Sequence, residues 1–209
     1  MCIRDSWRTE EQWPPADASP FSMGVKPGSF TDTADNSAEA GSLVGTPGHG
    51  TWSISQALPY QVHLSGVPRA TVSVTTTGPH TNLVALLYDL DATGKATLIT
   101  RGAQLVKSSG TVSFDLFPQD WRLTAGHRLG VLIAGSDESI WTAIHSQTTA
   151  TVTGGSLRLP ALSRLRTYES TSIGKASEAM KARPAPFAVP AATIASAAVD
   201  VPLPPQQQP

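Results

Sequence analysis

The residues of this chain that could do chemistry are few, and their spacing does not assemble a nucleophilic site. A serine nucleophile needs a Gly-x-Ser-x-Gly turn, in which a sharp passage from strand to helix exposes the hydroxyl group. The sequence contains no such pattern. The nearest segment is Gly135-Ser136-Asp137, which no second glycine follows, so we interpret Ser136 as part of a turn that ends a strand. We therefore predict no catalytic residue in this chain.

The other titratable residues give no signature of a metal or cofactor site. None of the five histidines has a second histidine at the i, i+4 or close-pair spacing of a metal site. Cys2 is the only cysteine, which excludes an internal disulfide and a thiolate cluster. Asp89, Asp91 and Asp115 can be read as calcium ligands. Asp89 and Asp91, however, flank a predicted hairpin, where aspartate is favoured for local hydrogen bonding. We predict no metal ion and no cofactor.

Three tryptophans, Trp52, Trp121 and Trp141, suggest a second class of function, which is sugar binding. Tryptophan also anchors protein cores and interfaces, because it buries a large apolar area. No cluster of Asn, Asp or Arg accompanies the three residues in the sequence. Core or interdomain packing is therefore the favoured interpretation, and a free-standing carbohydrate-binding β-sandwich module is the alternative.

The composition favours a turn-rich all-β fold. Charged residues make up 15% of the 209 residues, against roughly 25% in an average domain. Glycine and proline contribute 17 residues each, which suits a chain with many turns. The net charge of −1 gives no electrostatic footprint for nucleic acid or an anionic membrane. No apolar run reaches the ~18 residues that would cross a bilayer. We predict neither nucleic acid nor membrane as a partner.

Strand patterns and turn residues alternate through residues 49–162. Val72 and Val74 share one face of a predicted strand, and hydroxyl side chains occupy the other face. Residues 83–90 are apolar on both faces, which is typical of a central strand. Hairpins are predicted at residues 91–95 and around Gly154-Gly155. About eight to ten short strands at regular spacing, with few helical periods between them, predict a jelly-roll β-sandwich.

The segments before the sandwich are irregular. Residues 1–6 resemble a translated sequencing adapter, so we exclude them from the fold and predict no cellular compartment. Residues 7–48 are interpreted as a linker and lead-in segment that is broken by proline and glycine. One or two short strands are predicted within it, near residues 21–25 and 41–44.

The segment after the sandwich, residues 163–209, is predicted to be a low-complexity tail. Residues 170–183 have room for one short helix. From residue 188 onward the chain is rich in alanine and proline. Such a composition does not bury enough apolar surface to offset its ordering entropy, so we predict that this part is disordered or extended.

Five segments stand out by their order and spacing. They are LSGVPR (64–69), NLVALLYDL (82–90), LITRGA (98–103), FDLFP (114–118) and GHRLGVLIAGS (126–136). The stretch that holds them, residues 64–162, is about half the chain and resembles the C-terminal jelly-roll domain of the X-Pro dipeptidyl-peptidase and cocaine-esterase-like serine hydrolases. The segments around Trp7 and Trp13 resemble the linker that joins this domain to the catalytic domain.

The resemblance implies a galactose-binding-like β-sandwich that takes no part in the chemistry. In such enzymes a Ser–Asp–His triad lies on an α/β-hydrolase domain upstream, and the jelly roll packs on that domain and walls its active site. The implied partner is thus an upstream catalytic domain of the same polypeptide. The parent enzyme would hydrolyse a peptide bond after an X-Pro dipeptide or a small ester. A purely structural β-domain is a third option.

The resemblance also suggests where the two domains meet. Aromatic and arginine side chains are enriched in such contacts. We therefore predict that two family-like loops, residues 117–121 and 126–128, form the rim of the interdomain surface, with contacts at Trp121, His127 and Arg128. For His127 the favoured interpretation is a turn residue that is satisfied by backbone hydrogen bonds, and the interdomain contact is the alternative.

Overall fold

The computed structural model shows two β-sheets packed face to face. It describes residues 2–3, 6–7, 10–32, 40–44, 49–137, 139–141, 144–166, 184–204 and 206–207. The helix predicted at residues 170–183 lies outside these ranges. Among the described residues, no helix is long and apolar enough to cross a membrane.

Strands dominate the secondary structure. The strands are β1 (Cys2–Ile3), β2 (Ser6–Trp7), β3 (Ala18–Val25), β4 (Gly28–Thr31), β5 (Gly50–Ser55), β6 (Val62–Gly66), β7 (Arg69–Thr76), β8 (Thr81–Leu90), β9 (Lys95–Val106), β10 (Gly110–Asp115), β11 (Gln119–Leu123), β12 (Arg128–Ala134), β13 (Thr149–Leu162), β14 (Phe187–Ala188) and β15 (Ala198–Val199). The helices are a 3-10 helix at Ala40–Leu43 and α1 at Ala191–Ser196. The predicted all-β sandwich is confirmed.

The first sheet is organised around the long strand β13. Its strand order is β10-β7-β13-β6-β11, and β3 and β4 also pair with β13. β13 therefore contacts four strands, with β3 and β4 along one edge and β7 and β6 along the other. The second sheet has the order β14-β9-β8-β12-β5-β15. β1 and β2 form a separate antiparallel pair.

The alternation predicted for β7 is confirmed by its burial. Val72 and Val74 are fully buried in the core between the sheets. On the opposite face, the Thr71 and Ser73 hydroxyls form hydrogen bonds of 2.8 Å with hydroxyls of β10. Apolar side chains thus face inward and cross-strand hydroxyl pairs face outward, as expected for a sheet with one solvated face.

The central position predicted for residues 83–90 is also confirmed, since β8 lies between β9 and β12. Leu83 and Leu87 belong to the core between the two sheets. Leu86 and Tyr88 point to the other face, where a second apolar cluster forms. All four side chains are fully buried. Burying a leucine side chain contributes about 1.5–3 kcal/mol, so β8 stabilises both cores.

The hairpin predicted around Gly154 and Gly155 is wrong, because β13 runs through both residues as one strand. The two glycines adopt φ angles of +152° and +157°, and the register with β7 shifts between Val152 and Gly154. The pair therefore forms a β-bulge, which bends a strand without reversing it. A Cβ at Gly155 would overlap the carbonyl oxygen of Thr71, so the neighbouring backbone requires glycine there.

The lead-in segment is more regular than predicted. β3 includes the strand expected near residues 21–25, and β4 follows it. Both strands pair with β13, so the first sheet draws on residues that the sequence assigned to the lead-in. The strand expected near residues 41–44 is wrong, because the 3-10 helix lies there.

The prediction of a disordered tail from residue 188 is wrong for the residues that the structure describes. β14, α1 and β15 lie in this segment, and Val189, Ala197 and Val201 are buried. The composition predicts disorder only for a segment that has no apolar surface to pack against. The sparse apolar side chains of this segment instead cover the outer face of the second sheet, which supplies the apolar surface that the segment lacks.

Candidate interdomain surface

Of the predicted contact residues, Trp121 and His127 meet at the buried carboxylate of Asp89, whereas the next residue, Arg128, bonds elsewhere at the same corner of the sandwich. The Trp121 indole Nε1 donates to Asp89 Oδ2 at 2.9 Å, and His127 Nδ1 lies 2.7 Å from Asp89 Oδ1. Arg128 donates to the Ser55 carbonyl oxygen at 3.0 Å. Asp89 is 8% exposed and therefore depends on these partners. We call this group the Asp89 corner.

The turn before Arg128 explains why His127 reaches Asp89. Gly126 has a φ of +86°, a conformation that glycine adopts without strain. The backbone of this turn is bonded on both sides to Leu58, at 2.8 Å each, and His127 N donates to the Thr124 carbonyl at 3.1 Å. These bonds support the interpretation of His127 as a turn residue.

The structure separates the three predicted contact residues by exposure. Trp121 is 4% exposed and belongs to the core between the sheets, so its side chain is not accessible to another domain. This result corrects its assignment as a contact, because Trp121 lies in β11 and its indole points inward onto Asp89. His127 and Arg128 are half-buried at the surface, so an interdomain contact at this corner remains a prediction for these two residues.

A larger exposed apolar surface lies elsewhere, at the end of the second sheet. It is formed by Leu105, Phe117, Ile140, Trp141 and Ile144, which we call the loop surface. Leu105 is 45% exposed, Phe117 50%, Ile140 47% and Ile144 86%. Trp141 is half-buried, and its ring centroid lies 5.9 Å from that of Phe117. Phe117 belongs to a loop that the sequence placed at a docking rim.

A buried ion pair lies beneath the loop surface and fixes the position of its residues. The guanidinium of Arg101 pairs with the Asp137 carboxylate, and both side chains are at most 10% exposed. Arg101 also donates to Ser139 Oγ at 2.8 Å, and its guanidinium carbon lies 5.9 Å from the Trp141 ring centroid. The Arg101 carbonyl accepts from the backbone N–H of Phe117 at 2.9 Å. One arginine thus positions both aromatic rings.

A second buried carboxylate anchors the far end of the same connection between β12 and β13. Asp32 is fully buried. It accepts hydrogen bonds from Asn82 Nδ2 at 3.0 Å and from Ser146 N and Oγ at 3.0 and 2.8 Å. Asn82 Nδ2 also donates to the Ile144 carbonyl oxygen at 3.0 Å. The most exposed apolar residue of the loop surface therefore sits on a fixed backbone.

A cavity of about 210 Å³ opens beneath the loop surface. Leu105 and Trp141 line its apolar side, and Asn82, Gln104 and Ser136 line its polar side. Ser136 is 5% exposed and lies two residues after the end of β12, in agreement with its interpretation as part of a turn that ends a strand. The cavity has the size to receive a side chain from another surface.

A third cluster ties the lead-in segment to the end of β13. Arg166 pairs with Asp17 and, at 2.9 Å, with Glu10, beside a cavity of about 470 Å³. Burial opposes ionisation of Asp17, but the hydrogen bonds from Arg166 and Ser163 outweigh it and lower the pKa of that carboxyl to about 2. The Asp17 side chain also raises the pKa of Arg166. The pairing fastens two chain segments together.

The aspartates considered as calcium ligands have local partners. Asp91 Oδ1 accepts from the backbone N–H groups of Thr93 and Lys95 at 2.8 and 3.0 Å, which closes the predicted hairpin. Asp115 pairs with Arg69 at 2.7 Å on the exposed face. Within the described ranges, no group of three or more His, Cys, Asp or Glu side chains is placed to share a metal ion.

The tryptophans pack rather than line a common sugar-stacking face. Trp52 is 9% exposed and contacts Tyr88 and Phe187, with ring centroids 5.2 and 6.4 Å apart. Trp121 lies in the other core. Trp141 alone of the three reaches the loop surface. This distribution agrees with core and interface packing.

Comparison with known proteins gives one family and several solved structures. The family described as the X-Pro dipeptidyl-peptidase C-terminal non-catalytic domain matches residues 3–176. A search of curated proteins gives no match. An aminopeptidase from a marine sediment Thaumarchaeota archaeon superposes with a TM-score of 0.61 and 10% identity, over 75% of this chain and 39% of that protein.

A CocE/NonD family hydrolase from Staphylococcus aureus superposes with a TM-score of 0.58 and 12% identity, over 74% of this chain and 38% of that protein. This chain thus spans about two fifths of the length of these structures. At this level of identity, the likeness shows a shared fold.

Proposed function

Because this chain belongs to the family of X-Pro dipeptidyl-peptidase C-terminal non-catalytic domains, we propose that it serves a larger serine hydrolase as an accessory domain. In this proposal it packs on an α/β-hydrolase catalytic domain of the same polypeptide and helps to wall the active-site cleft. The parent hydrolyses an acyl bond, either a peptide bond after an X-Pro dipeptide or a small ester. The catalytic groups belong to the other domain.

The loop surface is the observation that carries this proposal. Isolated exposed apolar side chains are ordinary, but a contiguous patch marks an interaction site. Phe117 and Trp141 are in contact, and Trp141 shares a cavity with Leu105. Interdomain surfaces typically bury roughly 600–1,500 Å², an area that a patch of five large side chains and its polar rim can supply.

The rigidity of the loop surface supports the same function. Docking costs less when the contact residues are already held in place. Asp137 fixes one end of the β12–β13 connection through Arg101, and Asp32 fixes the other through Ser146. Truncating Arg101 would leave Asp137 as a buried carboxylate without its cation, which is strongly destabilising. The surface is therefore built as one unit with the sandwich.

The test begins with the DNA that precedes this reading frame, which should continue in frame into a hydrolase domain with a Gly-x-Ser-x-Gly motif. The full polypeptide is then produced with Phe117→Asp, and with Thr153→Asp as a control on the exposed face of the first sheet. Calorimetry of the unmodified protein and of the control should show one unfolding transition. Phe117→Asp should split it into two, because the domains no longer stabilise each other.

Two results would overturn the proposal. One is an upstream frame that encodes no hydrolase. The other is a single unchanged transition in Phe117→Asp together with unchanged cleavage of X-Pro p-nitroanilides and p-nitrophenyl esters. The domains would then be fused but would not dock through the loop surface.

A further inference from the structure

The C-terminal segment of the chain forms a strap around the sandwich. We use this name for residues 184–204 and 206–207, which lie beyond the family-matched residues 3–176. β14 pairs antiparallel with β9 at one edge of the second sheet, and β15 pairs parallel with β5 at the opposite edge. One segment therefore pairs with two residues at each edge of the same sheet.

Between its two strands, the strap covers the outer face of that sheet. Phe187 packs edge-on against Tyr88, with ring centroids 5.4 Å apart. Val189 and Ala197 are 4% and 5% exposed and belong to the second apolar cluster. Ala195, on the helix α1 between them, faces solvent. The strap has an apolar inner side and an exposed outer side, as a bound peptide would.

The strap then crosses to the first sheet, where polar contacts hold it. The Gln56 side chain makes two hydrogen bonds with the Val201 backbone, at 2.8 and 3.0 Å. The Gln207 amide is 4% exposed. It accepts from His63 N at 2.8 Å and donates to the carbonyls of His63 and Leu162 at 3.2 and 2.6 Å. This side chain bridges β6 and β13, which share one described pair of residues.

We propose that the outer face of the second sheet, with the free edges of β5 and β9, is a peptide-binding site whose ligand is the chain's own strap. The recognition combines strand addition at two edges with apolar side chains in the groove between them, a known mode of peptide binding. The contacts hold the strap without help from the covalent connection through residues 167–183. When the strap leaves, the same site accepts the strap of a second copy.

This site explains two features of the domain. Unpaired sheet edges promote association, and the strap covers part of both edges of the second sheet in one chain. It also occupies the outer apolar face of that sheet, where Val189 and Ala197 are buried. The loop surface is then the large apolar surface left open among the described residues. The inference does not depend on the proposed hydrolase function.

The experiment keeps the full chain and places a specific protease site within residues 167–183. After folding and cleavage, the strap should co-elute with the sandwich in gel filtration and separate from it in urea. A labelled peptide of residues 184–209 should exchange into the cleaved protein but not into the uncleaved one. A strap that dissociates from the cleaved, unmodified protein at micromolar concentration overturns the proposal.

Two alanine-to-aspartate variants form a matched pair. Ala197→Asp places a charge in the apolar groove and should release the strap after cleavage, whereas Ala195→Asp on the exposed side should retain it. Gln207→Ala provides a milder variant in case Ala197→Asp does not fold. It removes three hydrogen bonds and should speed peptide exchange roughly tenfold or more, since about 1.4 kcal/mol corresponds to tenfold. Equal exchange in Gln207→Ala and the unmodified protein would contradict the assigned contacts.

Discussion

Replacing Asp89 with alanine should destabilise the domain more than any single loss of a surface ion pair. Asp89 is 8% exposed and accepts from the Trp121 indole and pairs with His127. The replacement removes both interactions, including the acceptor that Asp89 supplies to the buried indole N–H. Hydrogen bonds to a charged group contribute about 1.5–3 kcal/mol, and an unsatisfied buried donor costs about 1–3 kcal/mol. We expect a loss of about 3 kcal/mol.

A matched control is available at Asp115. Its carboxylate pairs with Arg69, but the two side chains are 55% and 48% exposed. Exposed pairs contribute about 0–1 kcal/mol, so Asp115→Ala should change stability little. For a domain of this size, 1 kcal/mol shifts Tm by roughly 2–4 °C. Asp89→Ala should therefore lower Tm by roughly 6–12 °C, and Asp115→Ala by no more than about 4 °C.

Urea unfolding and calorimetry of the two variants, together with Trp121→Phe and the double variant, measure the effect. Trp121→Phe removes the indole donor, so it should reduce the further cost of losing Asp89 by about 1 kcal/mol or more. If Asp89→Ala falls within 1 kcal/mol of Asp115→Ala, or the cycle shows no coupling between Trp121 and Asp89, the Asp89 corner does not stabilise the fold as described.

Three further predictions concern other parts of the chain. Because the pKa of Asp17 is lowered, its contact with Arg166 stabilises the fold above about pH 4, and this contribution is lost as the pH falls towards 2. Asp17→Asn should remove about 1 kcal/mol of this acid dependence, after allowance for solvent screening. Urea titrations at stepped pH measure the change in the free energy of unfolding. Gly155→Ala should destabilise the domain by more than Gly154→Ala in thermal melts, because both have positive φ but only a Cβ at Gly155 overlaps backbone. A fluorophosphonate probe should label no serine of the isolated chain, as mass spectrometry would show; stoichiometric labelling would contradict the accessory role.

Local patterns were enough to predict the strands of the sandwich. The two-residue alternation around Val72 and the doubly apolar run of β8 each reflect a local rule, because side chains on a strand alternate between faces. The hairpin at residues 91–95 was predictable for the same reason, since Asp91 and Gly94 satisfy its turn with their own backbone neighbours.

Features that depend on distant partners could not be predicted in this way. Gly154-Gly155 has the composition of a turn, and only the neighbouring strands β3 and β7 make it a bulge in an extended strand. The strap has the composition of a disordered tail, and only the uncovered face of the second sheet gives it a place to pack. The sequence predicted Phe117 as part of an interdomain surface but did not predict Leu105 and Ile144. The exposure of a side chain depends on which distant segments pack over it, and the local sequence does not show this.

The position of β13 in the chain has a consequence for how the domain folds. β3 and β4 emerge early in synthesis, yet their described partner is β13. β13 is made only after the ten strands β3 to β12 of the two sheets and the separate pair β1 and β2. Bringing Ala18 to Leu162 requires closure of a loop that contains most of the sandwich. Such non-local pairing is associated with folding in milliseconds to seconds rather than microseconds. On the ribosome, the first sheet remains open along this line until residue 162 has left the exit tunnel, so β3 and β4 are the strands that need protection during translation.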